Sequence, residues 1–478
     1  LFKMKIYYLF IYTLIFTSCS SNLSPNLSFS SEVPDTWSSP LPKQESFTGK
    51  WWEVFSDTLF NQFFNEFVDS NPDLLSISQQ VESSNLLAKI NGATRSPNVS
   101  VAAGGSSRLQ NLSAFGFSLS SLGIGGGGSD SSSTDQVVSF TSDNYNTALA
   151  MQWEIDVWGK LRNQRKAAYK NFEATTNELA YLRFSLSTQF ATSYYTAVES
   201  EMQFMLAEEI TASLKGVRDV VSERYGRGLT SSLDLRLAEA SLANSKLQLV
   251  DRSIQKNRSL RALESLLGKY PSATIQVSKN LPNDIPPITA GIPSELVKRR
   301  PDVIAAVNKI EAASYEHAQS QRNLFPSFSL TASGGTSASE LKDVLNGDYS
   351  VWNLGANISA PIFQGRRLRN NVLLKEKQFN LAEIDALRIM IRAFSEVEQA
   401  LFIQHEIIAQ RDAVKTAEEQ AKAAYDLAFD RYQKGLVDLV TVLNSQNQWR
   451  NSQSVKISIQ NLHVNSYTSL LLALGGKF

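Results

Sequence analysis

The sequence predicts an α+β membrane protein built as a tandem repeat, each half supplying two membrane-length strands and one very long helical hairpin. Three observations predict it. Proline, which breaks helix interiors and central strands, is absent from Asn98 to Tyr270 and from Ile362 to the C-terminus. The same series of elements recurs in those two stretches, 207 residues apart. Each helical stretch is preceded by a segment of period two.

The helices follow from composition. Arg366 to Tyr432 contains neither Gly nor Pro and is rich in Ala, Leu, Glu, Gln, Lys and Arg. It reads as one helix of 67 residues, roughly 100 Å at 1.5 Å per residue. Val157 to Arg227 repeats the pattern around Gly159 and Gly216. Each long helix meets a short turn, Arg224-Tyr225-Gly226-Arg227-Gly228-Leu229 in one half and Arg431-Tyr432-Gln433-Lys434-Gly435-Leu436 in the other. A second helical segment follows each turn, ending at Gly268 and at Gly475. Helices of this length imply coiled-coil-like antiparallel packing.

The strands follow from alternation. Thr147, Leu149, Met151, Trp153, Ile155 and Val157 alternate with mainly polar neighbours, as do Trp352, Leu354, Ala356, Ile358, Ala360 and Ile362. Such a strand has one apolar and one polar face. Each is about the length of a tilted membrane-spanning strand. Upstream partners begin at Pro97 and Pro326, and Gly/Ser-rich loops separate the partners, Gly104 to Asp143 and Gly334 to Ser350. Four strands cannot close a membrane barrel, whose smallest single-chain examples have about eight. An open edge in lipid leaves backbone groups unpaired, so closure requires oligomerisation. Soluble hairpins on a periplasmic coiled-coil scaffold are the alternative that the strands alone leave open.

The N-terminal residues read as an export signal, with Lys3 and Lys5 before the apolar run Ile6 to Phe16, which is too short to span a bilayer stably. The single cysteine, Cys19, ends that run and resembles the acylated cysteine of a bacterial lipobox, with Phe16 where Leu is usual. Ser20 resembles the pattern that permits passage to the outer membrane. Lys plus Arg and Asp plus Glu both number 46, so no electrostatic footprint for nucleic acid is present. His317, His405 and His463 form no ligand cluster, and one cysteine suggests no zinc site. No phosphate loop, nucleophile elbow or dinucleotide fingerprint occurs. The expectation is a protein without cofactor, metal or catalytic site.

Several motifs carry a family resemblance. Met151-Gln152-Trp153-Glu154-Ile155-Asp156-Val157-Trp158-Gly159-Lys160-Leu161-Arg162 resembles the strand-to-helix signature of TolC-like outer membrane factors of efflux systems, the NodT and OprM group. Arg299-Arg300-Pro301-Asp302-Val303, Phe325-Pro326-Ser327-Phe328, Pro361-Ile362-Phe363-Gln364-Gly365 and Trp51-Trp52-Glu53-Val54-Phe55 resemble further motifs of that group, in the right order. The resemblance implies a homotrimer whose strands form an oligomeric outer-membrane β-barrel, continued by a long α-helical coiled-coil barrel across the periplasm. It also implies a passive exit duct for a periplasmic adaptor protein and an inner-membrane transporter, with the cargo set mainly by the transporter. Small molecules are the expected cargo, with protein or peptide secretion as the alternative.

These readings give the following organisation. Residues 1–18 form a signal peptide and residues 19–74 an N-terminal segment held to outer-membrane lipid through Cys19. Repeat 1 covers residues 75–270, with strands at about 97–104 and 146–157 and a helical hairpin at 158–268. An equatorial linker spans residues 271–300. Repeat 2 covers residues 301–478, with strands at about 326–333 and 351–362 and a hairpin at 366–475. The repeated turns are expected to be adaptor-docking tips: Arg224, Tyr225, Gly228, Leu229 and Thr230, with Arg431, Tyr432, Gly435, Leu436 and Val437. Their glycines also suit a simple helix stop. The resemblance places an aperture gate at Val440 and Asn444, which share a helical face. Asn444 stands where the family carries Asp. Trp153, Trp158 and Trp352 suit either an aromatic girdle or ordinary packing, Asp156 suits a helix cap, and Arg299 to Asp302 suits a helix restart.

Overall fold

The computed structural model describes residues 34–40, 50–111, 139–283, 285–288 and 290–476. Cys19, the export signal and the run Gly125 to Gly128 lie outside the described residues. In chain order the elements are α1 (Thr58–Ser70), α2 (Pro72–Ala93), β1 (Asn98–Asn111), β2 (Ser139–Ile155), α3 (Lys160–Gly226), α4 (Ser232–Leu266), α5 (Pro293–Arg299), α6 (Pro301–Arg322), β3 (Ser327–Ala338), β4 (Ser350–Ser359), α7 (Arg367–Gln433) and α8 (Leu439–Ala473), with short 3-10 turns between some of them. The duplication holds residue for residue in the hairpins: α3 and α7 are each 67 residues long, and α4 and α8 each 35.

The chain divides into two compact units. The described parts of the first, Leu87–Tyr169 and Ala312–Phe379, contain the sheet. Its strands are antiparallel in the order β1-β2-β3-β4, with β1 and β4 at the edges. The strands extend further into the Gly/Ser-rich segments than alternation alone predicts, down to the pair Asn111 and Ser139. A backbone ladder needs no apolar side chain to continue. At the other end β2 stops at Ile155, because the Asp156 carboxylate accepts the Leu161 and Arg162 N–H groups at 3.0 and 2.7 Å and starts α3. β4 stops at Ser359, two residues before Pro361, which has no N–H for the ladder.

The described parts of the second unit, which lie within Pro25–Leu86, Lys170–Glu311 and Asn380–Phe478, contain the main aromatic core. Phe60, Phe64 and Phe67 recur at helical spacing along α1 and are fully buried against Phe190, Tyr194 and Tyr195 of α3. Phe67 stacks on Phe190 with centroids 4.5 Å apart. Each such ring contributes about 1.5 to 3 kcal/mol by burial.

Within this unit the two repeats use one joint with different side chains. Asn71, before Pro72, donates from Nδ2 to the Leu266 carbonyl at 2.7 Å. At the corresponding position Arg300, before Pro301, donates from Nη1 to the Ala473 carbonyl at 3.0 Å. Each satisfies an orphan acceptor in the last turn of the hairpin's second helix. Arg300 is fully buried, paired twice with Asp302 (2.9 and 2.7 Å) and once with Glu396 (2.7 Å). The helix restart expected at Pro301 is there, and it is locked by ion pairs to the buried Arg300 guanidinium that the sequence did not signal. The stretch expected to be linker also contains α5, and Val277 and Leu281 sit in the core.

Candidate conduit and docking sites

The register of the sheet separates two chemistries. One face carries Val99, Val101, Leu149, Met151, Trp153, Ile155, Phe328, Leu330, Trp352, Leu354 and Ile358. The other carries Asn98, Ser100, Asn146, Gln152, Thr331, Ser333, Asn353 and Asn357, with Arg108 and Glu154 towards its ends. Glu154 is paired with Lys160 at 2.7 Å. Of the apolar side chains, Val99, Val101, Leu149, Trp352, Leu354 and Ile358 are exposed in the single chain, Leu149 by 54%, and the rest are half-buried. Such a sheet suits lipid on one side and, on the other, a water-lined wall that carries charge only towards its ends. The indole N–H of Trp153 donates to the Arg95 carbonyl and that of Trp158 to the Pro326 carbonyl, so both rings are fixed at the strand ends nearest the helices. Trp352 is exposed on the apolar face.

The two turns are superimposable in their backbone chemistry. Gly228 and Gly435 adopt φ of 70° and 73°. In each turn the N–H of the glycine and that of the next leucine donate to carbonyls of the helix end: Gly228 to Tyr225 and Leu229 to Arg224, Gly435 to Tyr432 and Leu436 to Arg431. This left-handed stop closes the first helix so that the second can reverse. Ser231 and Asp234 form a reciprocal cap for α4, and Asp438 accepts the Thr441 N–H to start α8. Hydrogen bonds from the Thr441 hydroxyl and N–H hold the Asp438 carboxyl below the usual carboxylate range.

The side chains of the two turns are used differently. The Arg224 guanidinium lies 5.1 Å from the centre of the Tyr432 ring and donates to the Gln433 carbonyl at 3.3 Å. Tyr432 is 5% exposed, and burial pushes its hydroxyl above the ordinary tyrosine range. Val437 packs against the same apolar cluster, with Leu439, Val442 and Leu443. The Thr230 hydroxyl donates to Asp234 at 2.6 Å. Leu229 and Leu436, 63% and 70% exposed, Tyr225 and Arg431 are open side chains of the tips, as are Arg227 and Lys434, each paired with a carboxylate of its own helix. Val440 and Asn444 are exposed on one face of α8, opposite the buried Val442, with the buried Leu443 at the border between the two faces.

Sequence reasoning missed one anchoring residue. Glu398 of α7 accepts the Ser38 and Ser39 N–H groups at 2.7 and 3.0 Å, while Trp37 donates to the Gly291 carbonyl and packs on Phe394. Backbone donors leave no trace in a sequence, so nothing there pairs Glu398 with a segment 360 residues earlier. Among the described residues no group of side chains could hold a metal ion, and no helix is long and apolar enough to cross a membrane.

A family model described as outer membrane efflux protein matches residues 64–269 and 292–476. The chain is 27% identical over 432 residues to the probable efflux pump outer membrane protein SepC of Pseudomonas putida, covering 89% of this chain and 85% of that one. It is 28% identical over 473 residues to the pyoverdine export outer membrane protein OpmQ of Pseudomonas putida, covering 96% and 94%. The structure is similar to the Campylobacter jejuni CmeC outer membrane channel, with a TM-score of 0.82 and 25% identity, covering 96% and 95% of the two chains.

Proposed function

The chain belongs to the outer membrane efflux protein family, and from that membership we propose that it closes as a homotrimer into the passive exit duct of a tripartite export system. The observation that carries this reading is the four-stranded sheet, apolar on one face, uncharged and polar on the other along most of its length, with an edge strand on each side. Only further strands from other copies can pair those edges in lipid. Three copies supply twelve strands and six helical hairpins. Substrates enter from an inner-membrane transporter through a periplasmic adaptor and leave without chemistry, because the polar wall offers hydrogen bonds and no reactive group. Single-channel recording of the detergent-solubilised protein, with its oligomeric mass, tests this. A mass of three copies with steady conductance is expected, and a non-conducting monomer overturns it.

The finer assignments belong to the same proposal. Cys19 carries the acyl anchor, and Cys19→Ser should abolish lipid labelling. The adaptor meets the six tips through Leu229 and Leu436, since Tyr432 is occupied inside the tip and Val437 is partly buried there. Leu229→Trp and Leu436→Trp should leave the oligomer intact and weaken adaptor crosslinking. Undiminished crosslinking in both would put docking elsewhere. Val440 and Asn444 line the aperture, and a neutral Asn444 implies a constriction without a charged cation-binding ring.

A further inference from the structure

The duplication makes the chain a ruler for its own interfaces. Inside one chain, α3 of the first hairpin packs on the second hairpin through matched polar pairs. The Gln446 amide donates to the Ser213 hydroxyl at 2.9 Å, Gln203 and Ser454 exchange hydrogen bonds at 2.9 and 2.8 Å, and Glu199 accepts from Ser458 and Asn461, both at 2.6 Å. At the tip, Arg224 covers the Tyr432 ring. Moving each partner by the repeat length gives the contacts of a second seam, in which α7 of one copy meets α4 of the next. That seam follows if hairpins alternate around a closed ring, so it rests on the oligomeric reading above.

The transferred positions are all exposed in the single chain: Arg431, Gln420, Gln410 and Glu406 on α7, and Tyr225, Glu239, Leu247, Asp251 and Ile254 on the first hairpin. Their chemistry is matched at one end only. Arg431 faces Tyr225, as Arg224 faces Tyr432, and Gln420 faces Glu239. Farther from the tip, Gln410 meets Leu247 where Gln203 meets Ser454, so the backbone carbonyl acceptor is kept and the hydroxyl donor is lost. Glu406 meets Asp251 and Ile254, a second carboxylate and an apolar group, where Glu199 finds two donors. A cation over an aromatic ring contributes about 0.5 to 1 kcal/mol when exposed and more when desolvated. In a seam whose upper part has fewer complementary partners than the seam within the chain, the tip contact is therefore the principal polar fastening.

We infer that Arg431 of one copy stacks on Tyr225 of the next, so that the duct's tip ring is fastened by Arg–Tyr contacts of two origins, one set within copies and one set between them. Tyr225 is 45% exposed in the single chain and becomes covered in the ring. The occupant of this face is a second copy of the chain, selected by the same residue pair that the first hairpin already uses.

The test uses the full chain with its mass measured first. Chains bearing Tyr225→Cys are co-expressed with chains bearing Arg431→Cys and treated with a short bis-maleimide. The mixed oligomer should yield a covalent dimer that neither single variant yields alone. A Glu239→Cys and Gln420→Cys mixture, which leaves the tip residues intact, should behave likewise. Correct oligomeric mass without covalent dimer in either mixture overturns this seam and leaves the oligomer standing. A monomeric mass for the native chain overturns the oligomer itself, and the seam with it. As a functional readout, Arg224→Ala and Arg431→Ala should each raise conductance, with Arg431→Lys restoring it in the second case. A response to Arg224→Ala but none to Arg431→Ala in a correctly sized oligomer counts against the between-copy contact.

Discussion

Replacing Leu149 by Arg should be one of the most costly single changes in the sheet, and its cost can be worked from the register. On β2 the apolar face runs from Ile155 to Tyr145. At about 3.3 Å per residue that is roughly 33 Å along the strand, or about 25 Å of membrane depth at a tilt near 40°. Leu149 stands six residues from Ile155, roughly 15 Å deep and close to the midplane. Arg there should cost about 2 to 4 kcal/mol of insertion free energy. Ile358 lies on the same face one residue from the end of β4, and Arg there should cost about 0 to 1 kcal/mol. Ala150, the next residue to Leu149, points to the polar face with Ser100 and Ser333, so Ala150→Arg avoids the lipid cost. Urea titration of insertion into lipid vesicles measures all three. Equal costs at Leu149 and Ala150, or a larger cost at Ile358 than at Leu149, would refute the orientation of the sheet.

Arg300→Met should cost about 3 kcal/mol, because it removes the two close partners of the buried Asp302 carboxylate and leaves it only the exposed Arg392 guanidinium at 3.9 Å and the Val303 N–H; Glu396, more than a third exposed, adds little after solvent screening. Arg300→Met with Asp302→Leu should recover much of that loss in denaturant unfolding, and no recovery would deny the charge explanation. His463 is buried beside Arg411, and burial first, then that guanidinium, lowers its pKa from 6.5 to about 4. A depressed histidine contributes stability that is fully present above 6.5 and is lost as pH falls towards 4, so His463→Gln should flatten the acid limb of a stability profile in that window. Glu398→Ala removes both acceptors of Ser38 and Ser39, and hydrogen exchange at those amides should rise by at least tenfold, about 1.4 kcal/mol, while α7 stays protected. Val440→Ala with Asn444→Ala should raise single-channel conductance, whereas Asn444→Asp should introduce block by divalent cations; unchanged traces in both would remove the aperture assignment.

Much of this architecture is a local property of the chain. Absence of proline and near absence of glycine over 67 residues leave helix as the available regular structure, and the turn glycines mark where each helix reverses. Alternation over ten residues decides which side chains share a sheet face whatever the strand's partner, so the two chemistries of the sheet were readable before any pairing was known. Partner choice was not readable in this way. That β2 pairs with β3 across the repeat boundary depends on backbone hydrogen bonds, which every residue except proline can make. Arg300 and Asn71 perform one task with unlike side chains, and only the shared carbonyl acceptor at the end of each hairpin reveals it. The tip motifs read alike in sequence, yet Tyr432 is buried under Arg224 while Tyr225 stands open. Sequence determines what each turn contains. Tertiary structure decides which copy of the motif is already occupied, because a contact between repeats uses one face of each hairpin and leaves the equivalent face of the other unpartnered.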